Sequence, residues 1–196
     1  MGKIFCIIGK SSSGKDTLYK KIIENGELSL FRIVPYTTRP MRSDETDGKE
    51  YFFTDEAKLK ELTEAGRVIE VRAYHTIHGV WKYFTVNDGQ IDLTARNNYL
   101  MIATLEAYEK IRDYFGASFV VPVYVEVEDG LRLQRALKRE RLQTNPGYAE
   151  MCRRFLADES DFSEDKIREA GILQRFSNED LDAAYHNITA FIRNLI

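Results

Sequence analysis

Residues 3–26 constrain the fold more than any other stretch. Residues 3–9, KIFCIIG, are a continuously apolar run of the kind buried on both faces of a parallel sheet. Gly9-Lys10-Ser11-Ser12-Ser13-Gly14-Lys15 follows at once, and from Gly14 the pattern turns helical through DTLYKKIIEN. Leu18, Ile22 and Ile23 fall on one face of that helix, and Gly26 is its stop signal. Strand, glycine loop and helix in this order turn backbone N–H groups inward around an anion at a helix N-terminus. Gly9, Ser11, Ser12, Ser13, Gly14 and Lys15 are therefore expected to cradle phosphates, with the lysine as a mobile positive charge.

In loops of this P-loop type the residue after the lysine is usually a Ser or Thr whose hydroxyl ligates magnesium. Here it is Asp16, with Thr17 next. Asp16 is a candidate ligand for Mg2+, directly or through water; it also favours the first helical turn electrostatically.

The rest of the chain alternates. Apolar strands are expected over residues 28–34, 99–103 and 118–125, and helices over 105–114 and 130–141, which argues for an α/β layer fold. Between Pro35 and about Asn87 the texture changes to aromatics, threonines and short strand-like pieces, YFFT and GVWKYFTV, around a helix at 55–65. This reads as an inserted α+β lobe. A basic stretch after Arg132, interrupted by Asn145, Pro146 and Gly147, suggests two helices joined by a turn. The last helix, 181–196, starts after SNED, a capping sequence.

With 196 residues the chain suits one domain with insertions. A formal charge of -3 offers no overall field for nucleic acid or an anionic bilayer, so phosphate binding has to be local. Apolar runs such as 4–8 and 119–123 fall far short of the roughly 20 residues that span a bilayer, and no secretion signal is read at the amino terminus. Cys6 and Cys152 fit a reducing compartment, with the cytoplasm as default. His75, His78 and His186 form no convincing metal set.

A second cluster runs from Thr37 to Tyr51. It fits the form TTR-x-x-R-x-x-E-x-x-G-x-x-Y at every specified position, through Thr37, Thr38, Arg39, Arg42, Glu45, Gly48 and Tyr51. Two guanidiniums three residues apart with a tyrosine hydroxyl can surround a monophosphate by charge-assisted hydrogen bonds. With this segment the chain resembles the guanylate kinase family, and the resemblance covers nearly its whole length. The resemblance implies a P-loop NTPase fold: a parallel sheet core (1–34, 88–131 and 171–196), an acceptor lobe (35–87) and a helical lid region (132–170). It implies ATP-dependent phosphoryl transfer to a nucleoside monophosphate, GMP plus ATP giving GDP plus ADP, with Mg2+.

Residue by residue, the resemblance assigns the acceptor phosphate to Arg39, Arg42, Tyr51 and Tyr83, and the base to Glu70 and Thr85. A carboxylate accepts from the N1–H and 2-amino groups of guanine, which adenine lacks. Arg135, Arg139 and Arg154 match lid arginines that stabilise charge on a phosphoryl in flight, with Arg153 as a competitor of Arg154. Asn178 matches an asparagine beside the adenine pocket. The chain departs from the family pattern in three places. Pro35 stands where a base-contacting serine belongs, and Ile102 and Thr104 replace two carboxylates of an LDID strand. A kinase for a different nucleotide or phosphorylated small molecule, or a non-catalytic binding module, remain alternatives.

Overall fold

The computed structural model describes residues 1–43, 45–76 and 79–196. In chain order the elements are β1 (Ile4–Ile8), α1 (Lys15–Asn25), β2 (Phe31–Arg32), β3 (Tyr36–Thr37), β4 (Phe52–Phe53), α2 (Glu56–Glu64), β5 (Val68–Thr76) and β6 (Gly79–Val86). There follow β7 (Tyr99–Ile102), α3 (Leu105–Phe115), β8 (Val120–Glu126), α4 (Asp129–Arg141), α5 (Tyr148–Asp161), α6 (Glu164–Glu169), β9 (Arg175–Ser177) and α7 (Leu181–Arg193). His78, considered above with the other histidines, lies outside the described residues.

The larger sheet runs β2-β7-β1-β8-β9, all parallel. Its central strand β1 is buried at every residue. Because side chains alternate across a strand, Ile4, Cys6 and Ile8 enter one apolar cluster with α3 and α6, while Phe5 and Ile7 enter another with α1 and α7. Burial pushes the Cys6 thiol well up, so it stays an inert packing group. The strand expected at 28–34 shrinks to Phe31–Arg32. Leu28 instead plugs the core, Ser29 takes a left-handed turn at φ 48° and Pro35 breaks the ladder.

The smaller sheet has order β4-β3-β6-β5 and rests on α2 through Leu59, Leu62, Phe84 and Val86. The long strand β5 and the short edge strand β9 were not foreseen, nor was α6. The chain crosses between the sheets twice, and the crossings lie side by side. Gln90 accepts from the Val34 amide at 2.9 Å and donates back to the Val34 carbonyl at 3.2 Å. Tyr36 adds a bond from its hydroxyl to Asp88 at 2.7 Å.

Each terminal cap follows local chemistry. Asp180 accepts from the Ala183 amide to start α7, Thr104 accepts from Ala107 to start α3, and Gly26 closes α1 in the left-handed region at φ 72°. No helix among the described residues is long and apolar enough to cross a membrane.

Candidate active site

The loop between β1 and α1 is packed against the carboxyl edge of the parallel sheet. A Cβ on Gly9 would come within 2.5 Å of the Val125 carbonyl oxygen, so only glycine fits that approach. Ser12 and Gly14 both have positive φ, 62° and 83°, which turns the loop back on itself before the helix begins. Asn178, just after β9, donates from Nδ2 to the Ser13 carbonyl at 2.7 Å. The hydroxyls of Ser12 and Ser13 and the Asn178 Oδ1 are buried without a partner. The two orphaned hydroxyls can donate to phosphate oxygens, whereas the Asn178 Oδ1 can only accept.

Lys15 is largely covered. Burial lowers its pKa most, the Asp16 and Asp158 carboxylates raise it, and Arg154 and Arg139 lower it again. Asp16 is exposed in the first turn of α1 with its carboxylate 3.9 Å from the Lys15 ammonium, and Thr17 is exposed beside it. A single carboxylate and a hydroxyl next to a phosphate seat suit Mg2+, which commonly takes one or two protein carboxylates plus substrate phosphates. Among the described residues no three His, Cys, Asp or Glu side chains gather into an all-protein metal cage.

Helices α4 and α5 meet the loop through an ion network centred on the buried Arg132. Arg132, which sequence reasoning passed over, is only 1% exposed and donates to Asp129 (2.7 Å), Asp158 (3.2 Å), Glu159 (2.8 Å) and the Ser11 carbonyl (3.2 Å). Its guanidinium also lies over the Phe155 ring at 4.4 Å. Asp158 accepts from the Ser11 amide at 2.8 Å, and Lys10 reaches Glu159 at 2.7 Å. Arg135 donates to the carbonyls of Asn178 (2.9 Å) and Glu179 (3.3 Å), and its Nη1 would be 3.9 Å from a Cβ on Gly14. Arg154 points at the Ser11 hydroxyl at 3.5 Å, whereas Arg153 turns outward to Glu150 at 2.7 Å. Arg139 is exposed and has no hydrogen-bond partner among the described residues.

A cleft of about 590 Å³ opens beside the loop between β8, α4 and α5, lined by Lys10, Glu126, Asp129, Arg132, Glu159 and Glu179 among others. Its acidic lining suits phosphates less than the glycine loop does.

On the lobe, Arg39 is 3% exposed and forks onto Glu45, with Nη1–Oε2 at 2.9 Å and Nη2–Oε1 at 2.6 Å. Burial works against the Arg39 charge, but the Glu45 carboxylate and the Tyr83 hydroxyl hold its pKa above the ordinary guanidinium value. Its Nε is buried with no partner. Arg42 is exposed, and Glu45 accepts its backbone amide at 2.8 Å. The Arg39 guanidinium sits 5.6 Å from the Tyr51 ring, and Tyr51 meets Tyr83 edge-on at 5.5 Å. Tyr51 has its pKa raised chiefly by burial, so its hydroxyl keeps its proton. Arg39, Tyr51 and Tyr83 therefore gather in one place, with Arg42 at the rim.

Glu70 and Thr85 also come together, with the Thr85 hydroxyl donating to Glu70 at 2.7 Å. Both are buried. Arg72, absent from the sequence reading, covers Glu70 with a fork at 2.8 and 3.2 Å. Its signal was available in principle, since residues two apart on a strand share a face.

The guanylate kinase family model matches residues 1–195. The chain is 29% identical to the guanylate kinase of Wolbachia sp. subsp. Brugia malayi over 135 residues, 68% of each chain. It is 24% identical to the guanylate kinase of Wolbachia pipientis wMel over 192 residues, 97% of this chain and 89% of that one. Among solved structures it superposes on guanylate kinase from Anaplasma phagocytophilum with a TM-score of 0.66 at 20% identity, covering 98% of this chain and 85% of that one. With a glycine loop opening α1, the Arg39, Tyr51 and Tyr83 cluster beside the smaller sheet and a family match over residues 1–195, the chain belongs to the guanylate kinase family.

Proposed function

We propose that the chain transfers the terminal phosphoryl group of ATP to the phosphate of GMP, giving ADP and GDP. The observation that carries this is the presence of two polar seats: the loop from Gly9 to Lys15, where the Ser12 and Ser13 hydroxyls are buried without a partner, and the cluster in which the Arg39 guanidinium sits 5.6 Å from the Tyr51 ring and Tyr51 meets Tyr83 edge-on at 5.5 Å. The first would take the donor phosphates and the second the acceptor phosphate.

In this reading Lys15, Gly9, Ser11, Ser12, Ser13, Gly14 and Thr17 hold the ATP phosphates, and Asn178 braces that loop. Arg39 through its unpartnered Nε, the protonated Tyr51 hydroxyl, Tyr83 and the rim residue Arg42 hold the acceptor phosphate. Arg135, Arg139 and Arg154 supply forked donors over the transferring group, where charge spreads over equatorial oxygens. Asp16, together with the phosphates, would hold magnesium, which would supply neutralisation of the donor charge. Transfer between fixed seats needs little more than alignment of attacking and leaving oxygens and exclusion of water.

Domain roles follow the same division: core 1–34, 88–131 and 171–196, acceptor lobe 35–87, lid 132–170. The partners are small nucleotides, and the cytoplasm supplies both. A coupled ADP-release assay across nucleoside monophosphates and sugar phosphates tests the reading. Turnover with GMP well above the water background is expected; turnover only with another acceptor would refute it.

A further inference from the structure

The hairpin of β5 and β6 carries four polar side chains on one face. Glu70 pairs with Thr85 and Arg72 with Tyr83, and positions two apart on a strand point the same way. Through Tyr83 this group adjoins Tyr51 and hence Arg39. It forms the floor beyond the acceptor phosphate seat.

Within the group Arg72 closes over Glu70. Arg72 Nε donates to Oε2 at 2.8 Å, Nη2 donates to Oε1 at 3.2 Å, and Thr85 donates to Oε1 at 2.7 Å. An ionised carboxylate has about four acceptor sites, and three are thereby used. The Glu70 side chain is 0% exposed, while Arg72 keeps 13%. An entering base meets the guanidinium before it can meet the carboxylate.

The third nitrogen of Arg72, Nη1, donates to the Thr104 hydroxyl at 3.2 Å, at a position where the family pattern has an acid. A guanidinium has about five N–H groups, so two of them are left without a partner among the described residues. Reading guanine through N1–H and the 2-amino group requires an open pair of carboxylate acceptors, and Glu70 does not offer one. Pro35 contributes no side-chain donor either. A free guanidinium edge suits the opposite feature, the 6-oxo oxygen and N7 of a 6-oxopurine. Adenine places an amino donor there and would be repelled.

We infer that Arg72 reads the acceptor base by its 6-oxo edge and leaves the 2-amino group unread, so that hypoxanthine nucleotide serves as acceptor about as well as guanine nucleotide. The inference rests on the phosphoryl transfer to GMP proposed above.

Steady-state rates with GMP, IMP, AMP and 2-aminopurine riboside monophosphate test it, in the wild type, Arg72→Gln and Arg72→Lys, with folding checked by thermal melts. For the wild type, kcat/KM for IMP should lie within about threefold of GMP, and AMP about 100-fold or more below both. Arg72→Gln should lose about 30-fold on GMP and IMP alike, with less than about threefold change for the 2-aminopurine nucleotide, which has no 6-oxo group. Arg72→Lys keeps the charge without the fork and should fall between. A wild-type preference for GMP over IMP of about 30-fold would overturn the inference while leaving GMP phosphorylation intact, and this ratio decides even if both variants fail to fold. A gain of GMP turnover in Arg72→Gln would overturn it as well. Failure of every purine monophosphate would sink both this inference and the reading beneath it.

Discussion

The Asn178 amide reaches across to the Ser13 carbonyl at 2.7 Å, while the Asn178 carbonyl is itself held by Arg135 at 2.9 Å. One residue thus couples the first loop of the chain, the lid helix α4 and the segment entering α7.

Gly14 is the neighbour that makes this coupling tight. A Cβ there would lie 2.3 Å from Asn178 Nδ2, on a backbone already at φ 83°. Gly14→Ala should therefore weaken ATP binding by about tenfold or more and lower the melting temperature. Asn178→Ala alone removes one hydrogen bond, for about 1 kcal/mol. In the double variant the clash is gone, so the two losses should be less than additive in a calorimetric cycle.

Arg132→Ala would leave Asp158 without its arginine and Asp129 and Glu159 with Lys10 as their remaining cation at the loop. Asp129 and Glu159 are 49% and 42% exposed, so the loss in urea denaturation should fall short of the roughly 3–5 kcal/mol of a fully buried network, at about 2 kcal/mol. Arg132→Lys, lacking the fork, should recover only part of it.

Glu45 has its carboxyl held below the ordinary range first by the hydrogen-bonded Arg39, then by the Arg42 amide and charge. A depressed folded value means the Arg39–Glu45 bond contributes fully above the unfolded carboxylate value, ordinarily 4.5, and is lost as pH falls through the folded value. Acid unfolding of the wild type and of Glu45→Gln, followed by circular dichroism, measures this contribution. The expected result is a flatter stability profile below the ordinary carboxylate range in Glu45→Gln than in the wild type.

The two neighbouring lid arginines should separate cleanly. Arg154 faces the Ser11 hydroxyl of the glycine loop, whereas Arg153 is tied to Glu150 on the outer surface. Arg154→Ala should lower kcat by about 10²-fold or more with little change in melting temperature. Arg153→Ala should change kcat by less than about twofold, because an exposed ion pair contributes little.

The two proposed phosphate seats are legible in the sequence because each is local. The spacing from Gly9 to Lys15 and the run from Thr37 to Tyr51 each carry their contacts within a few residues, as the Arg39–Glu45 fork does. Arg132, Asp158 and Ser11 were not legible as a group, since their contacts span up to 147 residues of chain. Strand β5 escaped notice for a different reason. Its inward face carries Glu70 and Arg72 where a core strand would carry apolar side chains, so the usual period-two signal is missing. Likewise Leu28 and Ser29 belong to an apolar run, and only the left-handed turn at Ser29 reveals that the run is not one strand. The short β9 gains its place from pairing with β8, which no local pattern announces.

The clasp between Val34 and Gln90 sets the start and finish of the whole inserted segment at touching distance. Excising that segment would thus leave a gap that a tether of a few residues could bridge, with the central strands undisturbed. The same proximity means that the segment enters and leaves the layer of the larger sheet at a single point, so a change of length within it need not shift the strands on either side.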